Sequence, residues 1–281
     1  MIEPAMAAKA SGKTVATALW YVGPRECVLN EVELTKAGPQ DCVVRTLWSG
    51  VSRGTERLVF EGRVPVSEHE RMRAPFQEGA FPFPVKYGYC AVGIVEAGPA
   101  HLLGETVFCL YPHQDRFVVP ASRLALVPKA VPARRAVLAA NMETALNAHW
   151  DAGSGPADRI VVVGGGVLGL LTAFIAAQLP GAEVTLVDLD PARAALAETL
   201  GFGFAQPPDC PGEADLVFHA ERPGALDRRH FEKLLRRQHG VVAKMPGVVA
   251  VGLEHVAEHV EGAVGGGGIG AERDGDAFGH Q

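Results

Sequence analysis

Between Arg159 and Asp190 the chain reads RIVVVGGGVLGLLTAFIAAQLPGAEVTLVDLD, and within it Gly164, Gly166 and Gly169 spell G-x-G-x-x-G. Each glycine has its own task at such a spacing: Gly164 allows a tight turn, Gly166 lets backbone N–H groups approach a pyrophosphate, and Gly169 permits close packing of a helix on a strand. Val167 and Leu168 open that helix, whose N-terminus offers unpaired N–H groups and a positive dipole end to an anion. Asp188 follows Gly169 by 19 residues, where a carboxylate accepts hydrogen bonds from both hydroxyls of a ribose and repels a 2′-phosphate. The expected ligand is a dinucleotide, NAD in preference to NADP.

The elements needed to hold these groups are present on either side. Ile160 to Val163 is a short β-branched run, Val167 to Leu179 is helix-compatible, Pro180-Gly181 stops it, and Val184 to Val187 forms a second strand-like run. The same text contains a charge-free stretch of 20 residues, Ile160 to Leu179, long enough to span a bilayer. Three consecutive glycines after a strand-like start, and an equally good strand after Pro180-Gly181, fit a βαβ unit better, and no membrane association is expected.

Upstream, TVATALWYV, ECVLNEVEL, CVVRTLWSGVS, KYGYCAVGIVEAG, ETVFCLY and RFVVPASRLALVP are short β-prone segments separated by Gly, Pro and Asp. They predict a β-rich domain over residues 14–130, a small barrel or sandwich. Glu56 to Pro84 interrupts the rhythm with a long, charged, proline-bearing loop, and long irregular loops in compact domains are often functional. Val131 to Trp150 reads as a helix started at Pro132, which puts the domain junction near Val131. Residues 1–13 read as a disordered leader rather than a signal sequence.

Composition excludes some functions. The 281 residues are 48% hydrophobic with a net charge of −6, enough for a sizeable core and without the basic field that a nucleic-acid partner requires. Five cysteines, with no C-x-x-C among them, argue against a disulfide framework or a cysteine-rich zinc lobe and point to a reducing compartment, the cytoplasm.

This order of parts resembles the medium-chain dehydrogenase/reductase superfamily, over roughly residues 14–220. SGVSRGTE (Ser49 to Glu56) looks like the G-I-C-x-x-D loop of zinc alcohol dehydrogenases, KYGYCAVGIVEAG looks like their G-H-E-x-x-G-x-V segment, and NMETALNA resembles the E-P-L-x-N-A helix. The loop wording is most similar to a zinc-depleted branch that includes the hydroxyethyl bacteriochlorophyllide dehydrogenases. The resemblance implies an α/β fold, a GroES-like β-rich N-terminal domain followed by a truncated Rossmann domain over residues 131–220. It also implies hydride transfer between nicotinamide and a small-molecule alcohol or carbonyl, Arg193 over the adenine, and the homodimer common in the family.

Departures from the pattern bear on mechanism. Ser52 stands where the zinc enzymes have a ligand cysteine, and Tyr89 where they have the ligand histidine. Catalytic zinc takes three protein ligands plus an open position. Cys90, Glu143 and Glu56 are the groups from which a rearranged site could be drawn, but zinc is expected to be absent. The oxygen of the substrate must then be polarised by hydrogen bonds and its proton moved by a side chain; the candidates are Tyr89, Ser52, Thr55 and Glu56, with His113 in YPHQD as a further acid. The same residues could equally be core, turn and surface positions of the β-rich domain.

After ADLVFHA (Ala214 to Ala220), which reads as a fourth strand, the text departs from the family. Residues 221–281 hold five of the ten histidines and end in a Gly-rich run, as in a replaced C-terminus. A helix over 225–237, a strand over 248–252, a short helix over 253–264 and a disordered end are expected there. His255-x-x-Glu258-His259 spells an inverted zincin motif but lacks a third ligand. Two rivals to the dehydrogenase follow: an inactive remnant retaining at most nucleotide binding, and an NADPH-dependent quinone or enoyl reductase, which Asp188 disfavours.

Overall fold

The computed structural model describes residues 15–212, 214–220 and, as backbone, 241–244. The N-terminal part is built from β1 (Val15–Gly23), β2 (Glu26–Glu33), β3 (Asp41–Ser49), β4 (Glu78–Gly79), β5 (Val85–Lys86), β6 (Ala91–Ala97), β7 (Thr106–Cys109), β8 (Arg116–Pro120) and β9 (Ala125–Leu126). They form two antiparallel sheets, one of four strands in the order β2-β1-β5-β4 and one of five in the order β8-β3-β6-β7-β9. Period-two burial drives both: Ala16 and Ala18 of β1 and Cys42 and Val44 of β3 are inward while their neighbours are more exposed, and the phase shifts before Tyr21, which is also buried. Cys42, Val44, Val95, Val107 and Phe117 form the core of the five-stranded sheet.

The segment expected as one long loop, Glu56 to Pro84, is partly ordered. It holds the helix α1 (Thr55–Phe60), a 3-10 turn at Val66–Glu68 and the strand β4. Six residues are too few for helical periodicity to stand out in the sequence, yet Glu56 and Val59 of α1 are buried. Phe81 and Phe83 pack with Tyr21, Val85 and Tyr87 in a satellite core, and Phe76 lies 5.2 Å from the Tyr111 ring. These phenylalanines take part in the packing that orders the loop.

The helix expected over Val131 to Trp150 is divided into α2 (Ala133–Ala136) and α3 (Ala139–Ala152). The break at Val137-Leu138 turns Val137 toward the β-rich part, where a Cβ placed on Gly50 would lie 3.3 Å from the Cβ atoms of both Val137 and Cys90. Next come β10 (Arg159–Val163), α4 (Val167–Ala176), β11 (Glu183–Val187), α5 (Arg193–Leu200), β12 (Gly203–Ala205), β13 (Leu216–His219) and β14 (Val241–Lys244). These five strands form a parallel sheet in the order β12-β11-β10-β13-β14, the doubly wound arrangement in which the connection reverses direction between β10 and β13. Ile160 to Val163 are buried without alternation, as a central strand covered by helices on both faces requires.

The fourth strand falls where Ala214 to Ala220 predicts it. β14 pairs parallel with β13 from Leu216↔Val241 to His219↔Lys244, so the sheet continues past residue 220. The strand expected at 248–252, the two helices of the tail, its disordered end, the zincin-like motif and the N-terminal leader all lie outside the described residues. Among the described residues no helix is long and apolar enough to cross a membrane, and Cys27, Cys42, Cys90, Cys109 and Cys210 are all free thiols.

His149 ties α3 to the parallel sheet. Its ring is buried 4.6 Å from Phe218, Nε2 meets the Thr172 carbonyl at 2.9 Å and Nδ1 meets Ser154 Oγ at 2.6 Å. Burial holds the His149 pKa below its usual 6.5 against the opposing pull of the Thr172 carbonyl, and burial lowers that of His219 as well. The unfolded chain therefore takes up these protons first as pH falls through about 6.5, so stability is full above that pH and declines below it. Urea unfolding at pH 8.0, 6.5 and 5.5 should show a falling midpoint below 6.5, by at most about 1.4 kcal/mol per pH unit per histidine, with a smaller fall in His149→Gln.

Candidate functional site

The glycine turn leaves β10 at Gly164, whose N–H donates to the Val187 carbonyl at 2.8 Å, and enters α4 at Gly166. A Cβ on Gly169 would fall 1.8 Å from the Gly164 carbonyl oxygen and 3.3 Å from the Ala220 Cβ, so helix and turn close on each other only with glycine there. A Cβ on Gly166 would meet nothing within 4 Å: the turn faces open space on the side where a phosphate would approach. The N–H groups of Val167 and Leu168, in the first turn of α4, have no acceptor within the helix. These residues fit a dinucleotide pyrophosphate.

Asp188, immediately after β11, is already oriented. Its Oδ2 accepts the Gly165 N–H at 2.5 Å and its Oδ1 the Asp190 N–H at 2.8 Å. The Arg193 stem crosses beside it, with Cγ and Cδ 3.1 and 3.4 Å from where a Cβ on Gly165 would be, and its Nε pairs with Asp190 at 3.4 Å. Gly165 lies outside the G-x-G-x-x-G letters, yet a side chain there would press on Asp188 and Arg193.

In the β-rich part, Ser52, Thr55, Glu56 and Tyr89 come together. The Tyr89 phenol is largely buried, which raises its pKa, while hydrogen bonding from the Ser52 and Thr55 hydroxyls pulls the value back. The two positions at which the sequence departs from a zinc site are thus spatial neighbours. Glu56, 1% exposed, is enclosed by donors: Ser52 N–H reaches Oε1 at 2.8 Å, and the Tyr21 hydroxyl and His113 Nε2 reach Oε2 at 3.2 and 2.5 Å. Its carboxylate and burial raise the Tyr21 pKa, burial being the larger cause.

Sequence reasoning missed Ser49 and Tyr21. Ser49, the exposed last residue of β3, contacts His113 Nδ1 through its hydroxyl at 2.6 Å. Gly88 closes the other side of the ring: at φ 131° it adopts a conformation that favours glycine, and a Cβ there would be 3.0 Å from His113 Cδ2 and Nε2. Burial and the Glu56 carboxylate push the Cys90 thiol up to about 12. Glu143 is exposed on α3 and hydrogen-bonded by the Asn147 amide, so it does not join Cys90. Among the described residues no three His, Cys, Asp or Glu side chains converge as metal ligands, and the rearranged zinc site is not assembled.

No family model matches the chain. Over 177 residues it is 32% identical to the 2-desacetyl-2-hydroxyethyl bacteriochlorophyllide A dehydrogenase of Cereibacter sphaeroides, a match covering 56% of this chain and 51% of that protein. The chain thus spans about half the length of that relative. In three dimensions it is similar to acetophenone reductase from Geotrichum candidum in complex with NAD, with a TM-score of 0.67 at 18% identity, over 89% of this chain and 82% of that one. It is also similar to a putative zinc-binding dehydrogenase from Sinorhizobium meliloti bound to NADP, with a TM-score of 0.65 at 18% identity, over 89% and 83% of the two chains. At these identities the structural likeness is one of fold.

The contact between Gly169 and Gly164 gives a direct test of the turn. Gly169→Ala should destabilise the chain by about 1–3 kcal/mol, the usual cost of overpacking, and lower the melting temperature; an unchanged melt would mean that the turn is looser than described.

Proposed function

We propose that the chain is a member of the medium-chain dehydrogenase/reductase superfamily and an NAD-linked, zinc-independent oxidoreductase. It moves a hydride between nicotinamide C4 and a secondary alcohol or carbonyl. The observation that carries this reading is the Gly164 to Asp188 unit: an open glycine turn at the reversal point of a parallel sheet, with a carboxylate already fixed at the end of the neighbouring strand. When bound, the nicotinamide supplies the hydride chemistry, and the protein positions and polarises.

Selection of NAD rests on Asp188. Both of its oxygens are held by backbone N–H groups, so the carboxylate stays directed at the ribose position, where it repels a 2′-phosphate. This also weighs against an NADPH-dependent quinone or enoyl reductase. The fifth strand, β14, favours a working dinucleotide domain over an inactive remnant.

Zinc independence rests on the donor set. Serine and tyrosine hydroxyls stand in place of the thiolate and imidazole that zinc takes, and Tyr89 with its raised pKa keeps its proton. A protonated phenol is a hydrogen-bond donor and can polarise a substrate oxygen. For the substrate, the Cereibacter relative is named for a hydroxyethyl bacteriochlorophyllide and the Geotrichum enzyme for acetophenone. Val51 and Leu110, 65% and 42% exposed, follow β3 and β7 and are apolar side chains that would suit an aryl-substituted secondary alcohol.

Calorimetric titration of the purified chain tests the cofactor assignment. Asp188→Ala should weaken NAD about 10- to 100-fold, the loss expected for hydrogen bonds to a charged group, and leave NADP unchanged or tighter; equal losses for both would sink the ribose assignment. Tyr89→Phe should slow NAD-dependent oxidation of 1-phenylethanol about 100-fold or more without changing NAD affinity, and an unchanged rate would remove Tyr89 from the chemistry.

A further inference from the structure

The turn between β1 and β2 and the C-terminal end of α1 bring three arginines onto one carboxylate. Arg25 Nη2 lies 3.3 Å and Arg57 Nε 2.9 Å from Glu61 Oε1, and Arg63 Nη1 lies 3.4 Å from Oε2. The Glu61 side chain is 9% exposed while those of Arg25 and Arg63 are 72% and 71% exposed, so the carboxylate is covered by guanidiniums that themselves face solvent. The hydrogen bond from Arg57, helped by Arg63 and the charge of Arg25, outweighs that burial and holds the Glu61 carboxyl below the usual carboxylate range. Three cations against one anion leave two positive charges in excess, and among the described residues no other acid pairs with any of the three. Glu26, beside Arg25 in the chain, is folded back on Gly23, where a Cβ would lie 3.0 Å from its Oε2, and Glu56, beside Arg57, is turned inward and buried.

Capping of α1 does not account for the cluster. Arginines near a helix C-terminus commonly bond the last carbonyls, but those of Arg57, Leu58, Val59 and Phe60 already accept the backbone N–H groups of Glu61, Arg63, Gly62 and Arg25 at 2.9, 2.8, 3.0 and 2.6 Å. Nor does the turn require an arginine. Arg25 follows Pro24 at φ 62°, a position that glycine or asparagine fills with less strain, and a residue kept in such a conformation calls for a role of its side chain. Like charges gathered at one place repel, and the surplus is relieved by an anion that brings two negative charges and oxygen atoms for the unused N–H donors. We propose that Arg25, Arg57 and Arg63, organised by Glu61, form a binding site for a doubly charged oxyanion, the phosphate group of a phosphate monoester. Glu61 holds the guanidiniums from the protein side, and the phosphate oxygens accept their N–H groups on the solvent side, where the planar guanidinium fork suits them. These residues belong to the β-rich part rather than to the glycine turn, so the site stands independently of the oxidoreductase reading.

Calorimetric titration of inorganic phosphate into the full chain at low ionic strength and pH 8 tests the site. Saturable binding is expected, weakened about 10-fold or more in Arg25→Gln and in Arg63→Gln, the loss usual for hydrogen bonds to a charged group. Both side chains are largely exposed, so the melting temperatures should stay close to that of the wild type. Arg134→Gln, which removes an exposed cation of α2, should leave the affinity unchanged. Phosphate can also enter the glycine turn, so binding that survives both substitutions at full strength overturns the site, as does the absence of binding to the wild-type chain. Phosphate should bind more weakly at pH 5.5, where it carries a single charge, whereas sulfate, doubly charged throughout, should not; equal behaviour of the two overturns the assignment to a dianion. Sedimentation with phosphatidylcholine vesicles bearing phosphatidic acid, a lipid with the same monoester headgroup, separates the sources. Vesicle binding that Arg25→Gln abolishes assigns the site to a lipid, and binding of glycerol 2-phosphate without vesicle binding assigns it to a soluble monoester.

Discussion

Burial of one carboxylate organises the β-rich part of this molecule. An ionised group in an apolar interior is tolerated only when it is fully hydrogen-bonded, and Glu56 meets that condition with donors from three separate places: Tyr21 of β1, Ser52 in the loop after β3, and His113 in the loop between β7 and β8. Losing any one of them leaves part of a buried charge without a partner, which is more costly than losing an ordinary surface contact. The three segments are therefore held in register by the need to solvate one group, and the loop bearing Ser52 and Thr55 comes with them. Gly88 and Tyr89 lie two and three residues beyond β5, so the imidazole and the phenol take their positions from the same strand end.

Much of this architecture is legible in the sequence, for local reasons. Alternation of apolar residues marks β1 and β3, and the unbroken run Ile160 to Val163 marks a strand buried on both faces. The glycine letters with a terminal Asp188 mark the turn because each has a steric or electrostatic requirement confined to about 25 residues of chain. Where the requirement is not local, the text is silent. α1 is too short to show a period. β14 is recognisable only by its pairing with β13, and nothing in VVAK itself distinguishes it from the neighbouring apolar runs.

The polar cluster divides along the same line. Ser52, Thr55 and Tyr89 stand out because they occupy positions where a related pattern has ligands. Ser49 does not, since a hydroxyl at the exposed end of a strand is commonplace, and Tyr21 reads as an inward residue of β1. Their importance arises from partners 64 and 35 residues away, a relationship that no spacing rule encodes. A histidine in YPHQD gives the one available hint, and its two contacts become evident only in three dimensions.

Every bond along the line from Ser49 to Tyr21 is made between groups of the chain itself. The rotational freedom of those side chains, each worth up to about 2 kcal/mol at room temperature, is surrendered during folding rather than on encounter with a ligand. The dipoles around Glu56 are therefore already aligned on its carboxylate when folding is complete. The folded β-rich part behaves there as a frozen solvent shell around one carboxylate.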